Sequence, residues 1–236
     1  RYELGSESLK SENSLQLDLG LDYTNDKLSL TAALFANRID NFVFSQRSPG
    51  QEVIDDHDLF RFTQGDAFLY GGEIGLCWSI LPVLHLDGSF SYVSGQLLSV
   101  QDSEQKWLPL IPAPRANLGI KYFLNTNAKA LKETSFQVGF ENYFRKSSVH
   151  SAYGTETQTP AYFLLNASVG TDIMVKGKKL LSISINGENL TNTVYQNHLS
   201  RLKYTDVNPA TGRMGIFDMG INFGFRLLWN LEFLSY

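Results

Sequence analysis

The run Asp55-Asp56-His57-Asp58 puts three carboxylates and an imidazole into four consecutive positions. Oxygen donors beside a nitrogen donor are the chemistry that captures a divalent ion. Two other stretches pair imidazole with phenol: His150 with Tyr153, and His198 with Tyr195 before it and Tyr204 after it. Imidazole suits zinc and phenolate suits ferric iron. Asp55, Asp56, His57, Asp58, His150, Tyr153, Tyr195 and His198 are therefore candidate ligand-binding residues, with His57 and His198 the candidate metal ligands. Each has a plainer alternative. The acidic run lacks the glycine and the fixed ligand spacing of a calcium loop and reads more readily as a solvated surface. A histidine in an exposed loop is most often a solvated side chain, and His85, beside a short turn, reads as a hydrogen-bonding residue. No Ser-His-Asp, paired-carboxylate or His-x-x-x-His arrangement stands out, so an enzyme is not expected and no cofactor is implied.

The elements that must position these residues are strands. Leu15, Leu17, Leu19, Leu21 and Tyr23 alternate with Gln16, Asp18, Gly20 and Asp22, giving a strand with one dry face. After Thr24-Asn25-Asp26 the alternation resumes with Leu28, Leu30, Ala32, Leu34 and Ala36, which predicts a tight hairpin. The rhythm continues to the end of the chain and yields nine strands, separated alternately by short turns and by long polar stretches at 46–66, 94–107, 145–159 and after Ile185. Most of these strands are long enough to cross a membrane, which takes about 9–11 residues. Short turns on one side and long loops on the other are the pattern of an outer-membrane barrel, apolar outside and polar inside. Alternation places Glu73 and Arg115 on the polar, lumenal face, where they would contact a plug or guide a ligand. Tyr23, Tyr122, Phe144 and Trp229 fall at strand ends, as interfacial aromatics do.

Composition agrees. The chain has 236 residues, 43% hydrophobic and 13% aromatic, with 16 Phe, 11 Tyr and 19 Gly, a balance that favours an all-β fold. A net charge of −4 gives no reason to expect a nucleic-acid partner. The single cysteine, Cys77, excludes an internal disulfide framework. No apolar run reaches the ~20 residues of a spanning helix. An odd strand count, beginning with a descending strand, predicts the C-terminal piece of a larger barrel, about 22 strands and ~570 residues at this spacing. The alternative is a soluble or surface β-domain used for adhesion, with long hairpins.

Specific residues carry a family resemblance along nearly the whole chain. Arg1-Tyr2-Glu3-Leu4-Gly5 with Leu9 and Glu12, Asn37-Arg38 with Asn41-Phe42, Tyr70-Gly71-Gly72-Glu73, Pro112-Ala113-Pro114-Arg115, and Thr159-Pro160-Ala161-Tyr162 with Asn166 occur in order. They are followed by Asn189-Leu190-Thr191-Asn192-Thr193-Val194-Tyr195 and by Gly212-Arg213 before a last alternating strand that runs on towards Tyr236. This series resembles the C-terminal barrel half of TonB-dependent outer-membrane receptors, and His198 after the N-L-x-N-x-x-Y motif is similar to the zinc and haem uptake receptors of the ZnuD type. The haem box N-P-D-L is replaced by Ser6-Glu7-Ser8-Leu9. The resemblance implies the outer membrane of a Gram-negative cell and active uptake of a metal or metal complex (zinc, haem or an iron siderophore). It also implies a plug domain outside residues 1–236, through which the TonB-ExbB-ExbD complex acts. A passive porin, which lacks a plug, is the competing expectation.

Overall fold

In the computed structural model, which describes residues 2–125 and 128–229, the strands form one meandering sheet. Among the described residues eleven strands occur in chain order: β1 (Tyr2–Leu4), β2 (Asn13–Thr24), β3 (Leu28–Arg47), β4 (Val53–Ile54), β5 (His57–Leu81), β6 (Leu84–Leu97), β7 (Arg115–Phe123), β8 (Leu131–Tyr143), β9 (Tyr162–Val175), β10 (Lys178–Glu188) and β11 (Asn222–Trp229). Nine of them make the path β11-β10-β9-β8-β7-β6-β5-β3-β2, every neighbour antiparallel, as the alternation predicts. Short strands β1 and β4 pair with β5 off this path. Arg1 and Tyr236, which the sequence motifs involve, lie outside the described residues.

Register separates the two faces cleanly. Leu19 opposes Leu34, Ile74 opposes Phe90, Ile120 opposes Val138, and Val169 and Phe225 both oppose Ile185, which makes one continuous apolar surface. Leu15, Leu17 and Phe225 are 78%, 63% and 66% exposed, so this surface meets no second sheet. A water-soluble fold would bury such a surface, whereas a barrel wall turns it to lipid. On the other face Glu73, Ser91, Arg115, Tyr143 and Tyr162 stand in one row across five strands. Close strand packing there requires glycine: a Cβ on Gly71 would sit 2.4 Å from the Tyr92 carbonyl oxygen.

One sequence expectation needs correction. The polar stretch at 46–66 is mostly strand, because β3 runs 20 residues to Arg47 and β5 runs 25 residues from His57. At ~3.3 Å per residue β5 is about 80 Å long, more than twice a bilayer core, so this hairpin projects beyond the membrane. Its polar residues misled because the apolar side chains there break the strict alternation, Leu59 and Phe60 being buried side by side in sequence, and they are covered by connections and not by lipid. A bulge marks the change: Asp40 and Asn41 oppose Asp66 alone, with Asn41 at φ 58° and its amide donating to Asp66 Oδ1. Above the bulge the lumenal face becomes apolar, and residues 98–114 fold back onto it. Phe44, Ala67, Leu97, Leu108 and Ile111 form that small core.

Candidate functional site

Connections 98–114 and 144–161 meet the projecting β3–β5 hairpin at one end of the sheet, and 189–221 packs on 144–161 beside them. The tip of that hairpin carries Asp55 and Asp56, both at positive φ, followed by His57 and Asp58. Asp58 is paired with the Arg47 guanidinium, while Asp55, Asp56 and His57 are exposed. Arg47 in turn donates its backbone amide to Thr155 Oγ1 at 2.9 Å, which ties the hairpin to the 144–161 connection. Between them lies a cleft of about 480 Å³, lined by Asp56, His57 and Asp58 on one side and by Glu156, Arg201, Tyr204 and Asp206 on the others, with Phe60, Pro109 and Leu110 supplying apolar wall. That size falls within the range of small-molecule sites.

Beneath the cleft wall a polar cluster is sealed from water. His150, His198, Lys146, Lys203, Glu156 and Thr159 are each no more than 6% exposed. Burial of polar groups is tolerated only when they are partnered. Glu156 accepts from the Leu110 amide at 2.7 Å through Oε1 and from the His150 amide at 3.3 Å through Oε2. Lys203 Nζ donates to the Thr157 carbonyl at 3.1 Å and to Thr159 Oγ1 at 3.2 Å. Thr159 Oγ1 lies 2.8 Å from His198 Nδ1; with Lys203 donating to that hydroxyl and the hydroxyl donating onward, the imidazole proton falls on Nε2, which is the cluster's exception, buried 4.0 Å from Glu156 Oε1 without a hydrogen bond. Burial pushes the Glu156 carboxyl up and the Lys146 and His150 groups down. Burial and the neighbouring ammoniums of Lys203 and Lys146 bring His198 down to about 4.

The sequence candidates therefore divide. His57 is displayed in the cleft with Asp56 and Asp58. His150 and His198, expected as displayed loop residues, are buried instead: His150 Nδ1 bonds the Trp107 carbonyl oxygen at 2.8 Å, its Nε2 meets the Gln46 side chain at 3.0 Å, and its ring sits edge-on to Phe44. Tyr153 occupies a left-handed position in the turn Ala152–Gly154. Tyr195 points down to the lumenal face and not into the cleft. It stacks on Tyr162, which stacks on Tyr143, both at 4.5 Å, and Arg115 lies over Tyr143 at 5.8 Å. These side chains border a groove of about 700 Å³ on the lumenal face together with Glu141, Glu188, Asp218 and several carboxamides. Among the described residues no three His, Cys, Asp or Glu side chains gather as a metal-holding set. His85 hydrogen-bonds Ser79 Oγ at 3.2 Å, in line with its plainer reading.

The motif residues have visible mechanical roles. Asn189, at φ 50°, is 3% exposed; its side-chain amide donates to the carbonyls of Thr193 and Met219, its Oδ1 accepts from the Thr193 amide, and its own backbone amide donates to Asn166 Oδ1. One asparagine thus turns the chain off β10, and a second from the T-P-x-Y-x-x-x-N motif fixes it to β9. Sequence reasoning missed Glu156, Lys203, Lys146 and Thr159. Their contacts span roughly forty residues, as with Lys203 to Thr157 and Thr159, and nothing local distinguishes a lysine that will be buried from one that will not.

Comparison with known proteins places this arrangement. Residues 2–190 match the family described as TonB dependent receptor-like, beta-barrel, and the chain belongs to that family. The copper transporter OprC is similar at a TM-score of 0.76 and 20% identity, over 94% of this chain and 32% of that one. The FrpB iron transporter of Neisseria meningitidis gives 0.66 at 10% identity, over 97% and 32%. The pyoverdine outer-membrane receptor FpvA of Pseudomonas aeruginosa gives 0.61 at 14% identity, over 94% and 30%. At these identities the likeness is one of fold. The chain spans about a third of the length of these relatives.

Proposed function

We propose that the complete protein is an active receptor of the Gram-negative outer membrane that takes up a metal or metal complex, and that residues 1–236 are the C-terminal part of its barrel. A plug domain and further strands lie outside this chain in that reading, and the TonB-ExbB-ExbD complex drives uptake through the plug. Glu73, Arg115 and the groove beside Tyr143 and Tyr162 face that plug. Support comes from the family and from the neighbours, whose names carry copper, iron and pyoverdine.

The observation that carries the ligand class is the cleft. It sets Asp56, His57 and Asp58 opposite Glu156, Tyr204 and Asp206, so carboxylate, imidazole and phenol line one cleft from segments about 100 to 150 residues apart. These groups line the cleft without gathering into a closed ligand set, which suits a metal chelate better than a bare ion, with Asp56 and His57 the exposed donors that meet it. The buried His198 supports the wall.

The test uses the full-length receptor with Asp56→Asn and His57→Ala together. Binding of zinc and of a ferric chelate is measured on purified protein, and growth is followed with zinc or iron limiting. Loss of tenfold or more in binding, with a growth defect for the same metal that also requires TonB, is the expected outcome. Unchanged binding of both removes the cleft from recognition, and TonB-independent uptake points to the porin alternative.

A further inference from the structure

The last long connection contains a small folded unit of its own. Within residues 202–216 the two limbs pair with each other: the Ile216 amide donates to the Leu202 carbonyl at 2.9 Å, Gly215 to Thr205 at 3.1 Å and Asn208 to Arg213 at 2.9 Å, with a bridge between Val207 and Met214. The pairing is tight at its base, since a Cβ on Gly215 would lie 2.4 Å from the Lys203 carbonyl oxygen, and Gly215 sits at φ +76°. The unit therefore behaves as a paddle and not as a loose loop.

What holds the paddle down is narrow. Of residues 201–216 only Lys203 and Gly215 are buried, and Leu202, Val207, Met214 and Ile216 are each more than half exposed. Lys203 reaches out of the paddle into the neighbouring connection, where it meets the Thr157 carbonyl and Thr159 Oγ1. Two contacts reinforce that seat: His198 on Thr159 Oγ1, and the Thr157 amide donating to Tyr204 Oη at 3.2 Å. These converge on residues 157–159, while the Gln196 side chain, at the base, donates from Nε2 to the Met214 and Ile216 carbonyls of the other limb at 3.2 and 3.3 Å. The socket side is far better anchored, through Glu156 to Leu110, His150 to Trp107 and Gln46, Ala152 to Glu104, and Thr155 to Arg47. Below the paddle the chain is fixed again, because Asp218 donates its amide to the Tyr195 carbonyl, accepts from the Asn197 amide, and Tyr195 stacks on Tyr162.

A rigid paddle, a fixed base and a single buried key describe a hinged element. We propose that residues 201–216 form a lid over the 480 Å³ cleft, hinged between the Tyr195–Asp218 base and the Leu202–Ile216 pair, and latched shut by Lys203 seated against Thr157 and Thr159. The lid supplies Arg201, Tyr204, Thr205 and Asp206 to the cleft wall, so unseating Lys203 withdraws that wall while Asp56, His57 and Glu156 stay in place. Partly exposed elements with few buried contacts open locally at low cost. This inference rests on the reading of the cleft as the ligand's entrance, but its test needs no ligand.

Amide hydrogen exchange on the full-length receptor reads the latch from both sides. Lys203→Ala removes the key from within the lid, and Thr159→Val removes its seat from a different connection. Each is expected to speed exchange at 202–216 by tenfold or more, while residues 98–114, 146–156 and the strand amides keep their wild-type protection and report that the barrel has formed. Should Thr159→Val leave 202–216 unchanged, the latch is wrong. Should either variant release 98–114 and 146–156 as well, the connections open as one body and no separate lid exists. Neither result bears on which metal the receptor binds, which the cleft variants Asp56→Asn and His57→Ala decide on their own.

Discussion

The ring of Tyr195 lies 4.5 Å from that of Tyr162 at an interplanar angle of 26°, so the first turn of the last connection is pinned to the lumenal wall of β9. A stacked aromatic pair contributes about 0.5–1.5 kcal/mol beyond the area it buries. Tyr195→Ala is expected to free residues 193–199 and 217–220 together, because Tyr195 also accepts the Asp218 amide through its carbonyl and that contact depends on where the ring is held. Tyr195→Phe keeps the ring and should retain wild-type protection. Hydrogen exchange of these segments, compared between the two variants, is the measurement; equal loosening would assign the anchoring to the hydroxyl.

Glycine spacing in β5 makes a second prediction. A methyl at Gly71 would lie 2.4 Å from the Tyr92 carbonyl oxygen and 2.7 Å from the Phe35 ring, so β5 and its partners would have to part. At Gly139 the nearest atom to an added Cβ is Asn166 Cβ at 3.8 Å, an ordinary contact. Gly71→Ala should cost about 1–3 kcal/mol, the range for overpacking, and lower the yield of folded receptor. Gly139→Ala should leave both stability and yield within error in a denaturant titration.

The barrel wall was legible in the sequence because its signal is local. Leu15 to Tyr23 alternate without interruption, and the register keeps Leu15, Leu17 and Leu19 on one face while Glu73, Ser91 and Arg115 stand in one row on the other. The projecting hairpin was not legible. Its strand residues from Arg47 back to Phe42 and from His57 to Gly65 face packed connections or water, and the apolar alternation is broken where Leu59 and Phe60 are both buried. The cleft was half legible: Asp56, His57 and Asp58 drew notice by their types, but Glu156 and Asp206 reach them only through tertiary folding. His150 and His198 show the limit of reading by type, since an imidazole expected to face outward is used here to fill and tie a buried junction.

Acid should loosen that junction. Both histidines are held neutral by burial, with His198 brought from 6.5 to about 4 and His150 moved in the same direction. A base whose pKa is depressed in the folded state contributes packing stability that is complete above its unfolded value and is lost as pH falls from there through the folded value. For His198, 1% exposed at its side chain, the drop is worth on the order of 3 kcal/mol across that window. Glu156, raised by burial, works the other way and gains as pH falls towards its unfolded value of 4.5, which offsets part of the loss. The large depression at His198 sets the net sign. Exchange of residues 146–160 and 196–204 should therefore be faster at pH 5 than at pH 7 after correction for intrinsic rates, and His198→Gln should remove much of the difference.

The two faces of β2 allow the membrane assignment to be tested on adjacent residues. Leu17 is 63% exposed on the apolar face opposite Ala36, and Gln16 is exposed on the polar face opposite Asn37. If the apolar face meets hydrocarbon, Leu17→Arg carries a charge into it at a cost of about 2–4 kcal/mol near the midplane. Gln16→Arg places the same charge beside Asp18, where the lumenal face already holds polar groups, and should cost less than about 1 kcal/mol. Reversible unfolding of the full-length receptor from lipid vesicles gives both values. Equal, small costs would mean that the leucine face meets water, and the strand would then belong to a soluble sheet. A large cost confined to Leu17 fixes the side that faces lipid, because the two variants bring the same charge to adjacent positions of one strand.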